Sequence, residues 1–287
     1  MRAFPLTIVT VALLLGATAP AFAQADERVI YASVVDKNGE PVADLTPEDF
    51  IVREDGQTRE ILRVARDNDP LQIALLVDNS AGMRSKDSDL RKAVAAFIDG
   101  TREGVQIALI TMASRPTISV NYTTDHQALK KAVDRLFSDT SAGNTFLDAV
   151  AETSQGFTKR TGTRAVIAAI TTADDLSFRQ YTEVLEYFRE GGAALHVLTL
   201  GANPGPVDRE LVVGKGTAES GGRNEVVLSS MGLPAKAKQL ANEISNQYRI
   251  TYARPQRLIP PKETTVASRR ADLRARGMLL KTEKERR

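Results

Sequence analysis

The stretch LLVDNSAGM, residues 75–83, is an apolar run that stops at a carboxylate (Asp78) and is followed by a hydroxyl (Ser80) and a glycine (Gly82). A short apolar run bounded by turn-forming residues reads as a buried strand that surfaces where polar groups can be displayed. Leu75 and Val77 are expected to point to its two opposite faces, both covered by helices. Further runs follow the same plan: VQIALIT (105–111), RAVIAAIT (164–171), ALHVLTL (194–200) and NEVVLS (224–229). Between them lie helical patterns at about 87–101, 125–136, 177–190, 207–220 and 234–246. Unbroken apolar strands alternating with helices indicate a doubly wound α/β domain with a mostly parallel sheet. In such sheets ligands sit at the carboxyl ends of the strands, the edge that Asp78 opens.

The flanks have a different texture. RVIYASVV (28–35), a turn at Asp36-Lys37-Asn38-Gly39, and DFIVREDGQTREILRV (49–64) with Asp55-Gly56 inside it read as strands joined by tight turns. So few strands bury too little apolar surface to stand alone. QYRITYARP (247–255) and ETTVASRRADLRARGM (263–278) return to β texture. Both ends are therefore expected to meet in one small β unit beside the α/β domain. The expected organisation is a leader over 1–23, an N-terminal β segment over 24–69, the α/β domain over 70–246, a C-terminal β segment over 247–280 and a charged tail over 281–287.

The first residues, MRAFPLTIVTVALLLGATAPAFAQ, carry one arginine, a short apolar core and small residues at Ala21 and Ala23, as a secretory leader does, so the mature chain is expected to start at Gln24 in the periplasm or outside the cell. The apolar core is shorter than the roughly 20 residues of a membrane span, and no stable span is expected after cleavage. The chain contains no cysteine, which excludes disulfides and thiol chemistry. A formal net charge of +2 and the absence of tryptophan give no field or stacking surface for nucleic acid, which is not expected as a partner.

Three segments open on the same strand edge: Asp78 and Ser80, Thr145 in SAGNTFLDAV (141–150), and ITTADD (170–175). In this order the chain resembles the von Willebrand factor A domain. There, an Asp-x-Ser-x-Ser motif, a threonine after a Gly-rich loop and an aspartate in a Thr-Asp-Gly turn form a metal-ion-dependent adhesion site. The front segment VVDKNGEPVADLTPEDFIVREDGQTREI (34–61) and the late strand QYRITYARP resemble the exported bacterial group called VWFA-related. The resemblance implies magnesium as the candidate cofactor, bound by hydroxyls and carboxylates and completed by an acidic group of a partner. Asp78, Ser80 and Thr145 match the pattern, while Gly82 replaces the second serine and Thr172 replaces the aspartate. Asp174 is the candidate substitute ligand, and Asp78, Ser80, Thr145 and Asp175 are the candidate ligand-binding residues. Without a metal, Asp78 would accept backbone N–H groups of its own turn, and Ser80 and Thr145 would act as caps.

Catalysis is not expected. DNSAG lacks the first glycine of a nucleophile elbow, and the two histidines, His126 and His196, fall on a helix start and inside an apolar strand. GKGTAESGG (214–222) does not meet the spacing of a phosphate-binding loop; its glycines are expected to make a helix C-cap and turn. The resemblance implies an exported, non-catalytic binding module for a protein or envelope component. The alternative is an assembly subunit of an envelope complex with a vestigial metal site.

Overall fold

The computed structural model describes residues 25–159, 163–256, 259, 261 and 263–279. The expected leader, Gln24 and the charged tail lie outside them. In chain order the elements are β1 (Ala25–Val35), β2 (Phe50–Glu54), β3 (Gln57–Arg59), β4 (Ile61–Arg66), β5 (Leu71–Val77), α1 (Asp87–Gly100), β6 (Gln106–Thr111) and β7 (Thr117–Thr123). There follow α2 (His126–Val133), α3 (Phe146–Thr158), β8 (Arg164–Thr172), α4 (Tyr181–Gly191), β9 (Ala194–Leu200), α5 (Val207–Ser220), β10 (Arg223–Val227) and α6 (Leu233–Ser245). The chain closes with β11 (Tyr248–Pro255), β12 (Thr264–Ser268) and β13 (Arg274–Leu279).

The central sheet has the order β10-β9-β8-β5-β6-β7, parallel except for β7, which runs antiparallel to β6. Strands β8 and β9 are buried along their whole length, as a sheet covered on both faces requires. Leu75 and Val77 share a face, against the expectation: with Ile73 they pack against α1 and α6, while Ala74 and Leu76 meet α3, α4 and α5 on the other side. The two-residue period of a strand places positions i and i+2 together. Strand β7 has no counterpart among the expected elements, because most of its side chains are exposed or half-buried and it carries no apolar run. Helix α4 begins at Tyr181, later than expected, since Ser177 is held in a turn by its amide and hydroxyl on Asp175 Oδ1 at 3.1 and 2.7 Å.

The flanking unit is built from both ends of the chain, as two small antiparallel sheets, β13-β1-β11-β4 and β12-β2-β3. Ile30, Ala32 and Val34 of β1, Phe50 and Val52 of β2, and Tyr248, Ile250 and Tyr252 of β11 form a core separate from the two faces of the central sheet. Asp55 and Gly56 both take positive φ, 48° and 78°, between β2 and β3, the backbone of a tight hairpin. Gly221 caps α5 in the left-handed region, whereas Gly214 and Gly216 lie inside that helix rather than in a turn. A β-carbon on Gly216 would reach 3.0 Å from Leu195 Cδ2, so this glycine lets α5 lie close on β9.

Candidate functional site

Strand β5 ends at Val77, and Asp78 turns out of it with its amide on the carbonyl of Ile170 at 2.9 Å. Its carboxylate is fully buried, and both of its oxygens accept hydrogen bonds. Oδ1 accepts the amide of Ser80 at 2.9 Å, and Oδ2 accepts both the amide of Thr172 at 2.9 Å and its hydroxyl at 2.6 Å. Thr172 thus spends its side chain on the carboxylate beside it.

Ser80 is buried and opens a short 3-10 turn over Ala81–Met83, but its side chain makes no capping hydrogen bond. Thr145 precedes α3, and its hydroxyl also leaves the cap unmade: it donates to the Met112 carbonyl at 2.7 Å, alongside its own amide at 2.9 Å. The Met112 amide is bonded to the Val77 carbonyl at 3.1 Å, so Thr145 is tied to this edge through Met112. A β-carbon at Gly82 would lie 3.2 Å from Thr172 Oγ1 and 3.4 Å from Asp174 Oδ2. Exposed Asp174 therefore points its carboxylate at the Gly82–Thr172 corner, while Asp175 is buried against the first turn of α3. Burial raises the Asp175 carboxyl above its ordinary range, opposed by Ser177, the Leu147 amide and the charge of Arg209.

Two participants were not foreseen. Asn144 is buried and donates from Nδ2 to Thr171 Oγ1 and to the Asp174 carbonyl, both at 2.8 Å, which ties the loop before α3 to the loop after β8. Arg209 is buried in the first turn of α5, stacks 5.3 Å from the Phe146 ring centroid, and donates from Nη2 to the Thr172 carbonyl at 3.0 Å and to Thr199 Oγ1 at 3.1 Å. Burial lowers its affinity for the proton, and the charges of Glu210, Asp175 and Asp78 favour it. A fixed guanidinium therefore faces the two buried carboxylates from inside the fold.

This donor set does not fit magnesium. A hard dication asks for near-octahedral oxygen donors, yet Gly82 offers no side-chain oxygen, Thr172 brings a neutral hydroxyl where a second carboxylate would stand, and Asp78 already accepts three hydrogen bonds within the protein. Among the described residues no three or more of His, Asp and Glu are grouped to hold a metal.

Apolar side chains gather around the same edge. Phe137 is 61% exposed, in a loop held to Asn79 by the Asp139 amide at 2.7 Å. Leu176 and Phe178, 66% and 100% exposed, occupy the loop after β8, with the Leu176 amide on the Asn144 carbonyl at 2.7 Å. Met231 is exposed in the turn that follows β10. The histidines lie elsewhere: His196 is buried in β9 with neither ring nitrogen hydrogen-bonded, and His126 opens α2.

Residues 73–175 match the family model of the von Willebrand factor type A domain. Two UPF0353 proteins, from Mycobacterium ulcerans (strain Agy99) and Mycobacterium marinum (strain ATCC BAA-535 / M), are each 33% identical over 100 residues. The alignment covers 32% of this chain and 29% of each relative, so it spans under a third of their length. Among solved structures, a von Willebrand factor type A protein from Catenulispora acidiphila superposes with a TM-score of 0.55 at 12% identity, over 84% of this chain and 74% of that one. Proximal thread matrix protein 1 from the mussel byssus, with a zinc-occupied MIDAS motif, gives 0.51 at 15% identity, over 67% and 49%. These two likenesses are likenesses of fold.

Proposed function

We propose that this chain, which carries a von Willebrand factor type A domain over residues 73–175, is a non-catalytic module that binds a protein partner through its loop edge without a metal. The observation that carries this reading is a satisfied Asp78 with Phe137, Leu176 and Phe178 exposed on the loops tied to Asn79 and Asn144 beside it, and Met231 exposed after β10. Apolar side chains scattered singly need no explanation, but a group of them on one edge marks an interaction surface. The partner is a protein or another component of the cell envelope, met outside the cytoplasm, in keeping with the leader-like first residues. Among the described residues no helix is long and apolar enough to cross a membrane.

A pull-down from native envelope with the mature chain, run with and without chelator, tests the reading. Retention of the partner in chelator, and its loss from Leu176→Ser/Phe178→Ser, is the expected result. Loss in chelator would return the edge to metal-dependent adhesion, and retention by the double variant would move the contact to another surface.

A further inference from the structure

A pocket of about 280 Å³ opens where the flanking unit meets the α/β domain, far along the chain from the loop edge. Its walls are the turn at 35–39, β10, α6 and β13. Lys37, Arg223, Lys236, Arg274 and Arg276 line it, with Asp36 and Glu225 as its acids. Both acids are already used. Asp36 accepts the amides of Glu40 and Asn38 at 3.0 and 2.8 Å, which hold its carboxyl below the ordinary range. Glu225 is opposed by burial, yet Lys236 at 2.7 Å and Arg223 hold it low as well.

The cationic wall is fixed from behind. Buried Glu243 accepts Arg223 Nη1 and Arg276 Nη1, one on each oxygen and both at 2.7 Å, which sets the two guanidinium groups side by side. Gln239 Nε2 donates to the Asn38 carbonyl at 2.6 Å and pins the turn to α6. Lys37 and Arg274 are exposed and have no acidic partner among the described residues. The pocket therefore holds positive charge that the protein does not neutralise, on a frame that needs little ordering before a ligand arrives.

We propose that this pocket binds a small phosphate-bearing anion, with Lys37 and Arg274 supplying the uncompensated charge and Arg276 a planar donor face. Guanidinium groups suit phosphate because they offer paired N–H donors in its plane. The volume lies at the small end of ligand pockets, which fits a phosphate or diphosphate group with few further atoms. Because the walls come from both ends of the chain and from the domain between them, a bound anion would tie the flanking unit to the α/β domain.

The test is calorimetric titration and thermal melting of the full mature chain with inorganic pyrophosphate and with glycerol 3-phosphate. Sodium chloride at matched ionic strength is the control. Saturable binding and a rise in melting temperature are expected. Lys37→Gln/Arg274→Gln should keep the ligand-free melting temperature and weaken binding at least about tenfold, the scale of one lost charge-assisted hydrogen bond. A shift reproduced by sodium chloride, or binding unchanged in the double variant, would overturn the proposal. So would binding to phosphatidylglycerol vesicles with no response to either free anion, since the site would then read a membrane surface.

Discussion

Thr172 holds Asp78 twice, with its amide at 2.9 Å and its hydroxyl at 2.6 Å, both on the same carboxylate oxygen. The threonine stands where the resembling motif has an aspartate. A like charge has been exchanged for a donor, and the buried carboxylate needs no cation to satisfy that oxygen. Arg209 adds a charge of opposite sign from within the fold.

Removing that donor should cost stability. Thr172→Val keeps shape and amide but leaves Asp78 Oδ2 short of one hydrogen bond, a loss of about 1–3 kcal/mol. Chemical denaturation of the purified variant reads this directly; a midpoint equal to that of wild type would mean the hydroxyl is not bonded to Asp78.

Rebuilding the motif should create metal dependence. Gly82→Ser with Thr172→Asp restores a hydroxyl and a carboxylate, at a corner where a Gly82 β-carbon would lie 3.2 Å from the residue-172 side chain. Without metal the double variant should melt below wild type, because two adjacent carboxylates repel. Magnesium at a hundredfold over Kd should then return about 2.7 kcal/mol, while wild type shifts little. A clear magnesium shift of wild type that Asp78→Ala abolishes would sink the metal-free reading.

Acid should destabilise the fold through His196. Burial, with Arg223, Arg276 and Arg164 nearby, pushes its pKa down from 6.5 to about 3. The folded value lies below the unfolded one, so between them the unfolded chain binds the extra proton. Its contribution is therefore complete above the unfolded value and is lost as pH falls toward the folded one, with a slope of up to about 1.4 kcal/mol per pH unit. Asp175 acts with the opposite sign, since its raised carboxyl favours the folded state on the acid side. His196→Leu should flatten the acid limb of a stability-against-pH curve; a limb as steep as that of wild type would show that other groups produce it.

The shared flanking unit makes a proteolytic prediction. Strand β1 lies between β13 and β11, and β4 pairs only with β11 in its sheet. A chain ending at residue 246 loses every sheet neighbour of both, and with them apolar burial worth roughly 25 cal/mol per Å². Protease should then cut within 24–69 while the α/β domain persists. Unchanged resistance of the front segment would count against the pairing.

The core prediction rests on Leu75, which is fully buried in the middle of the central sheet. Leu75→Ala should cost about 2–5 kcal/mol, and Val77→Ala on the same face somewhat less. An unchanged denaturation midpoint for Leu75→Ala is the outcome that would contradict its placement.

The central sheet was legible wherever burial on both faces leaves an unbroken apolar run, as in Arg164–Thr172 and Ala194–Leu200. Strand β7 escaped because an edge strand with exposed side chains leaves no such mark. The edge at Asp78 could be read from a carboxylate after an apolar run, but its partners could not. Asn144 and Arg209 act on this edge through contacts between segments far apart in the chain. Arg209 left one local clue: a cation in the first turn of a helix opposes the helix dipole, so another contact must hold it there. Asp174 and Asp175 are neighbours in the chain, and only the turn at Ser177 decides which faces the edge and which is buried.

The order in which β1 finds its neighbours governs how the molecule is made. Residues 25–35 wait for 248–255 and 274–279 before either flank of that strand is paired. Such distant closures carry a large chain-entropy cost and belong to the slow end of folding. A growing or emerging chain therefore presents an open β1 ladder until its last strands arrive, and an open ladder is a template for aggregation. The α/β domain has its own sheet and two helical layers to form in the meantime. The rate-limiting event is expected to be the joining of the two ends, which makes β1 the segment most dependent on a chaperone or on dilution during refolding.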